Sequence, residues 1–193
     1  MRLVIAITGA SGVVYGKRLL QVLKAKKVET HLIVSNAAEK VIEHELGLHK
    51  KDFDKLADHV YEADDMTSPL MSGSFKTDGM VIVPCSMKTL SGIVHGFAHN
   101  LILRAADVAL KEKRRLVVVP RETPLSTVHL RNMLAAAELG IFVVPAMPAF
   151  YHKPKDINDL VDFIVGRILD SLGLEHELFK RYSGIKTRSR TAA

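Results

Sequence analysis

Tryptophan is absent from this chain of 193 residues, and cysteine occurs once, at Cys85. A single thiol cannot close an internal disulfide, which excludes the stapled scaffolds of small secreted proteins and points to a reducing cytoplasm. Long apolar runs are also missing. The longest, Ile141 to Phe150, is broken by Pro145 and Pro148, whereas a membrane span needs about 20 residues. Leu3 to Ile7 has the flavour of a secretion signal but is too short for one and runs into a glycine turn, so export is not expected. Aromatic residues make up 6% of the chain, too few to interleave with its basic residues as stacking platforms for single strands. Nucleic-acid binding is therefore disfavoured despite a net charge of +6. Neither G-x-G-x-x-G nor G-x-x-x-x-G-K-[ST] occurs, so no dinucleotide fingerprint or Walker loop is present.

What remains is an ordinary globular composition, 48% hydrophobic and 25% charged, with twelve glycines and seven prolines. Collagen-like and disordered classes are excluded. A chain of this size hides roughly 70% of its extended surface on folding, enough for a core without staples. A single domain over 1–182 is expected, followed by a basic tail over 183–193 with Lys186, Arg188 and Arg190.

Five short apolar runs have strand length and little alternation: 3–8, 30–35, 80–85, 116–120 and 142–146. Such runs suit strands covered on both faces. Helical spacing of apolar residues marks 13–25, 126–139 and 157–172. Alternation of the two predicts an α/β protein of three layers, Rossmann or flavodoxin-like, around a mostly parallel sheet. The polar, poorly periodic segment 48–75 predicts a long loop over the strand ends, a lid.

Ligands of open α/β sheets sit beyond the carboxyl ends of the strands. After the first run comes Thr8-Gly9-Ala10-Ser11-Gly12, where glycines permit close backbone approach and the amides opening the next helix, with the Ser11 hydroxyl, offer an anion cradle. The second run ends in Ser35-Asn36, where a dinucleotide enzyme usually places an acid, which favours a mononucleotide. Ser86-Met87-Lys88-Thr89 follows the third, Arg121-Glu122-Thr123-Pro124 the fourth and Phe150-Tyr151-His152 the last. His95 and His99 share a helical face but lack a third ligand, and Cys85 reads as a small core residue, so no metal is expected.

In six separate blocks the chain resembles the UbiX-type flavin prenyltransferases, formerly described as aromatic-acid decarboxylases. The blocks are Thr8 to Gly12, Ser72-Gly73-Ser74, Pro84-Cys85-Ser86, Arg104 to Glu112, Arg121 to Leu125 and Phe150-Tyr151-His152. The resemblance implies an enzyme that moves a dimethylallyl group from dimethylallyl phosphate to N5 and C6 of reduced FMN, making prenylated FMN for a UbiD-type decarboxylase. It implies that Gly9, Ala10, Ser11, Ser35, Ser86, Met87, Lys88, Thr89, Arg104 and Arg121 contact FMN. Lys111, Arg121, Glu122, Tyr151 and Arg167 would surround the donor phosphate, with Glu122, Lys111 and Ser11 catalytic. It further implies a homo-oligomer, a trimer-based dodecamer. Met66 and Tyr182 stand where the family often has tryptophan. An FMN-binding decarboxylase and a flavin carrier without prenyl transfer remain as alternatives.

Overall fold

The computed structural model describes residues 1–184, so the tail cations Lys186, Arg188 and Arg190 lie outside the described residues. Six strands form one parallel sheet: β1 (Arg2–Ile7), β2 (Glu29–Val34), β3 (His59–Glu62), β4 (Gly79–Cys85), β5 (Arg115–Pro120) and β6 (Phe142–Val143). Their order across the sheet is β3-β2-β1-β4-β5-β6. From β1 the chain winds outward through β2 and β3, then returns to the other side of β1 and winds out again through β4. The order therefore reverses between β1 and β4, and a crevice opens beyond the carboxyl ends of those two strands.

Among the described residues seven α-helices cover the sheet: α1 (Val13–Ala25), α2 (Asn36–Leu46), α3 (Lys50–Asp54), α4 (Met87–Val94), α5 (Leu101–Lys111), α6 (Thr127–Glu138) and α7 (Ile157–Leu172). Alternation along β1 sends Leu3, Ile5 and Ile7 to one face, where they meet Leu19 and Leu23 of α1, Phe53 of α3 and Ile164 and Ile168 of α7. Val4 and Ala6 point the other way, toward Leu90 of α4, Ala106 of α5 and Ala136 of α6. Both faces are covered, so the central strands carry no polar face. Five helices start at a residue whose side chain accepts an amide of the first turn: Ser35, Ser86, Asn100, Ser126 and Asp156. These caps satisfy donors that the helix itself cannot. Gly16 lets α1 press onto β4, since a Cβ there would lie 2.7 Å from the Val83 carbonyl.

Two expectations need correction. The sheet has six strands rather than five, and segment 48–75 is not a structureless lid, because it holds α3, β3 and a short 3₁₀ turn over Pro69–Met71. β3 is a polar edge strand whose burial is slight, so it lacks the apolar signature by which the others were read; backbone pairing with β2 forms it. The last strand is shorter than its apolar run, since Phe142 and Val143 are in register with β5; beyond them the Val144 and Ala146 amides still reach the Val118 and Pro120 carbonyls, but Pro120 has no amide to return to Val144. Among the described residues no helix is long and apolar enough to cross a membrane.

Candidate active site

The crevice between β1 and β4 is built on Thr8. Its buried hydroxyl donates to the Pro84 carbonyl at 2.8 Å and accepts the Ser86 amide at 2.8 Å, tying together the ends of the two strands. Above this knot lies a cavity of about 580 Å³ lined by Gly9, Ser35, Asn36, Ala37, Ser86, Lys88 and Thr89, with Asp64, Asn100 and Ile102 at its sides. Gly9 is required by packing: a Cβ would fall 2.5 Å from that of Ala37.

Three helices begin at this cavity. Ser35 Oγ accepts the Ala38 amide at 3.2 Å at the start of α2. Ser86 Oγ accepts the Thr89 amide at 3.3 Å and donates to Thr89 Oγ1 at 3.0 Å at the start of α4. Asn100 caps α5. Each helix brings free amides and the positive end of its dipole, and Lys88 adds a full charge, so an anion is favoured here. Met87 turns its side chain into the core, which leaves its backbone amide as its contribution.

The expected cradle at the start of α1 is arranged differently. Gly12, in the left-handed conformation at φ 102, and Val13 donate their amides to the Glu45 carboxylate at 2.9 and 3.3 Å. The protein's own carboxylate thus occupies the end of α1, and the helix starts that line the cavity are those of α2, α4 and α5. Glu45 was not among the sequence candidates because only the packing of α2 beside α1 brings it to Gly12. Ser11 stays exposed beside this contact, and Ala10 is buried. Cys85 is fully buried, and burial pushes its thiol up to about 12, so it offers no thiolate.

Residues implied for the donor phosphate are spread over the molecule. Arg121 and Glu122 follow β5 at the carboxyl end of the sheet. Arg121 Nε is buried and has no hydrogen-bond partner among the described residues, and Glu122 Oε1 accepts the Thr123 amide. Tyr151 lies past β6, edge-on to Phe163, His152 and Tyr182, at a separate cavity of about 420 Å³ shared with Lys153, Lys180 and Arg181. Arg167 pairs with Asp170 at 2.9 Å, which also holds Arg181 at 2.7 Å and His176 at 3.2 Å. Lys111 closes α5 at the end remote from the cavity, ten residues and thus about 15 Å along the axis from Leu101. It pairs with Glu112 beside the Ser72-Gly73-Ser74 loop, where a Cβ on Gly73 would lie 2.8 Å from its Nζ. Arg104, one face of the same helix, is engaged by Asp107 and the Met71 carbonyl. Within one chain the structure brings Gly9, Ser35, Ser86, Lys88 and Thr89 together, but not Lys111 or Tyr151; Arg104, in the first turn of α5, does not line the cavity and is held by Asp107 and Met71. Of the two positions lacking tryptophan, Met66 is an exposed side chain and Tyr182 lays its ring against Tyr151.

A switch-point cavity walled by helix N-termini is the signature of an α/β phospho-cofactor protein, and residues 1–169 match the Flavoprotein family. Flavin prenyltransferase UbiX of Methanocaldococcus jannaschii is 54% identical, over 96% of this chain and 100% of its own length. Among solved structures, AnUbiX in complex with FMN and dimethylallyl pyrophosphate superposes with a TM-score of 0.94 at 50% identity, covering 96% of this chain and 98% of that one. A dodecameric FMN-dependent UbiX-like decarboxylase from Escherichia coli O157:H7 has a TM-score of 0.92 at 49% identity, covering 96% and 100%. The chain belongs to the UbiX family of flavin prenyltransferases.

Proposed function

We propose that this protein transfers a dimethylallyl group from a dimethylallyl phosphate to N5 and C6 of reduced FMN, in the cytoplasm, and that a UbiD-type decarboxylase receives the prenylated FMN. The observation that carries this reading is the cavity at the β1–β4 switch point, where the starts of α2, α4 and α5 and Lys88 converge. Its volume of about 580 Å³ falls in the range of cofactor sites, and the buried Nε of Arg121 just past β5, without a partner among the described residues, suits a phosphate or flavin acceptor. FMN fits this donor set: Ser35, Ser86, Met87, Lys88 and Thr89 would take its phosphate end, and Gly9, Ala10, Ser11 and Arg121 its ring system. Reduced FMN, when bound, supplies the nucleophilic N5 and C6.

The protein's part is to ionise the donor. Breaking an allylic C–O bond leaves growing negative charge on phosphate, which fixed cations in a pocket shielded from water stabilise most in the transition state. Arg121, Arg167 and Lys111 supply that charge, Tyr151 a hydroxyl, and Glu122 orients the cations or exchanges a proton with the departing phosphate. Lys111 is too remote to act in the cleft of its own chain. We therefore place it, with Tyr151 and Arg167, at clefts shared between copies of a homo-oligomer, while Arg104, in the first turn of α5, stays beside the cavity of its own chain. The exposed Leu130 and Leu134, one turn apart on α6, supply an apolar face for such contacts.

The test is anaerobic incubation with reduced FMN and dimethylallyl monophosphate or diphosphate, followed by mass spectrometry of the extracted flavin. A gain of one C5H8 unit is expected. An unchanged mass with both donors would leave a flavin carrier or decarboxylase.

A further inference from the structure

Glu29, His31 and His59 stand together at the β2–β3 edge of the sheet, at the end away from the flavin cleft. Strand alternation puts Glu29 and His31 on one face, and the parallel register sets His59 beside His31 and Arg2 beside Glu29. Glu29 Oε1 lies 3.0 Å from His31 Nε2 and 3.6 Å from His59 Nε2, and one ligand atom from each residue falls within 4.8 Å of the others. Two zinc bonds of 2.0–2.2 Å at a tetrahedral angle end roughly 3.4 Å apart. The observed separations bracket that edge.

The surroundings are those of a built site. His31 is 2% exposed, and its Nδ1 lies 2.9 Å from the Tyr61 hydroxyl. Such an outer partner fixes ring orientation and leaves Nε2 for the ion. Phe75 packs edge-on against the His31 ring and closes the apolar side. Arg2 Nε holds Glu29 Oε1 at 2.8 Å and so fixes the carboxylate facing the two imidazoles. The His59 ring stacks on His31 at 4.5 Å and 21° and its side chain is half-exposed, so ion binding would require it to tilt out of this stack until the two nitrogens converge.

We propose that Glu29, His31 and His59 hold a divalent cation of the zinc class, with water in the fourth position, and that the ion pins the short edge strand β3 to β2. Two imidazoles and one carboxylate suit zinc over magnesium or calcium, which prefer oxygen alone. The ligands are scattered over two strands, so no metal motif appears along the chain.

Titration of the untagged, FMN-loaded protein with Co2+ tests this. The expected result is the visible absorption of four-coordinate Co2+, saturating at one ion per chain and abolished by Zn2+. His59→Ala and Glu29→Gln should each weaken binding by at least about tenfold, and Tyr61→Phe by about 10-fold through the lost outer partner. FMN uptake should be unchanged in all three. Saturating Zn2+ should also raise the Tm of the wild type but not that of His59→Ala. Absence of a saturable spectrum in the wild type overturns the proposal without recourse to any variant. So does a spectrum that His59→Ala and Glu29→Gln leave unaltered.

Discussion

Thr8 is the residue on which the crevice turns, because one buried hydroxyl serves both Pro84 and Ser86. Thr8→Val keeps the shape and leaves the Ser86 amide without its acceptor, while the Pro84 carbonyl keeps only the Thr8 amide at 3.2 Å, a loss that costs about 1–3 kcal/mol. Lower urea resistance together with weaker FMN retention is the expected outcome; a variant as stable as the wild type would refute the role. Glu122→Gln removes a carboxylate without changing volume, so FMN should still bind while prenyl transfer slows in single-turnover assays. Asp170 is a third test. Burial alone would raise its pKa, but Arg181, His176 and Arg167 outweigh burial and hold the carboxyl below its usual value. Its stabilisation is therefore full above the unfolded value of about 3.9 and is lost as pH falls through the folded value. Asp170→Asn should lower Tm at neutral pH and converge with the wild type in acid. A gap that persists down to about pH 2 would contradict this linkage.

At the scale of elements, Gly16→Val probes the contact of α1 with β4. The added carbons would meet the Val83 carbonyl and Ile7, a fault of overpacking expected to cost about 1–3 kcal/mol. A shift of about 2–4 °C in Tm per kcal/mol would report it. The elements that could be read from the chain are those whose apolar residues decide them. β1, β4 and β5 are buried on both sides, and α1 and α7 carry apolar stripes that end where Val13–Ala25 and Ile157–Leu172 end. β3 escaped notice because His59, Val60 and Glu62 face solvent, and an edge strand is made by its neighbour's backbone. The same logic applies to the site. Gly9, Ser35, Ser86 and Lys88 follow strand ends and could be placed by position alone. Glu45 and the cluster around His31 arise from side-to-side packing, which leaves no local trace.

For the whole molecule, the separation of Lys111 from the cleft of its own chain makes a sharp prediction. Lys111→Ala and Glu122→Gln should each turn over far more slowly than the wild type as pure proteins. Co-expressed in mixed oligomers, they should regain roughly a quarter of wild-type activity if every cleft draws these two residues from different copies. No recovery would place both residues in one chain.

β3 has four residues and β6 has two. At each border, therefore, the sheet runs out of length and, at β3, turns charged or imidazole side chains to water. A strand from another copy would find too short a template on either side. Growth by adding strands, the route to open fibres, is closed, and copies are left to meet through their helices. Contacts of that kind can repeat about rotation axes and terminate in a shell of fixed size.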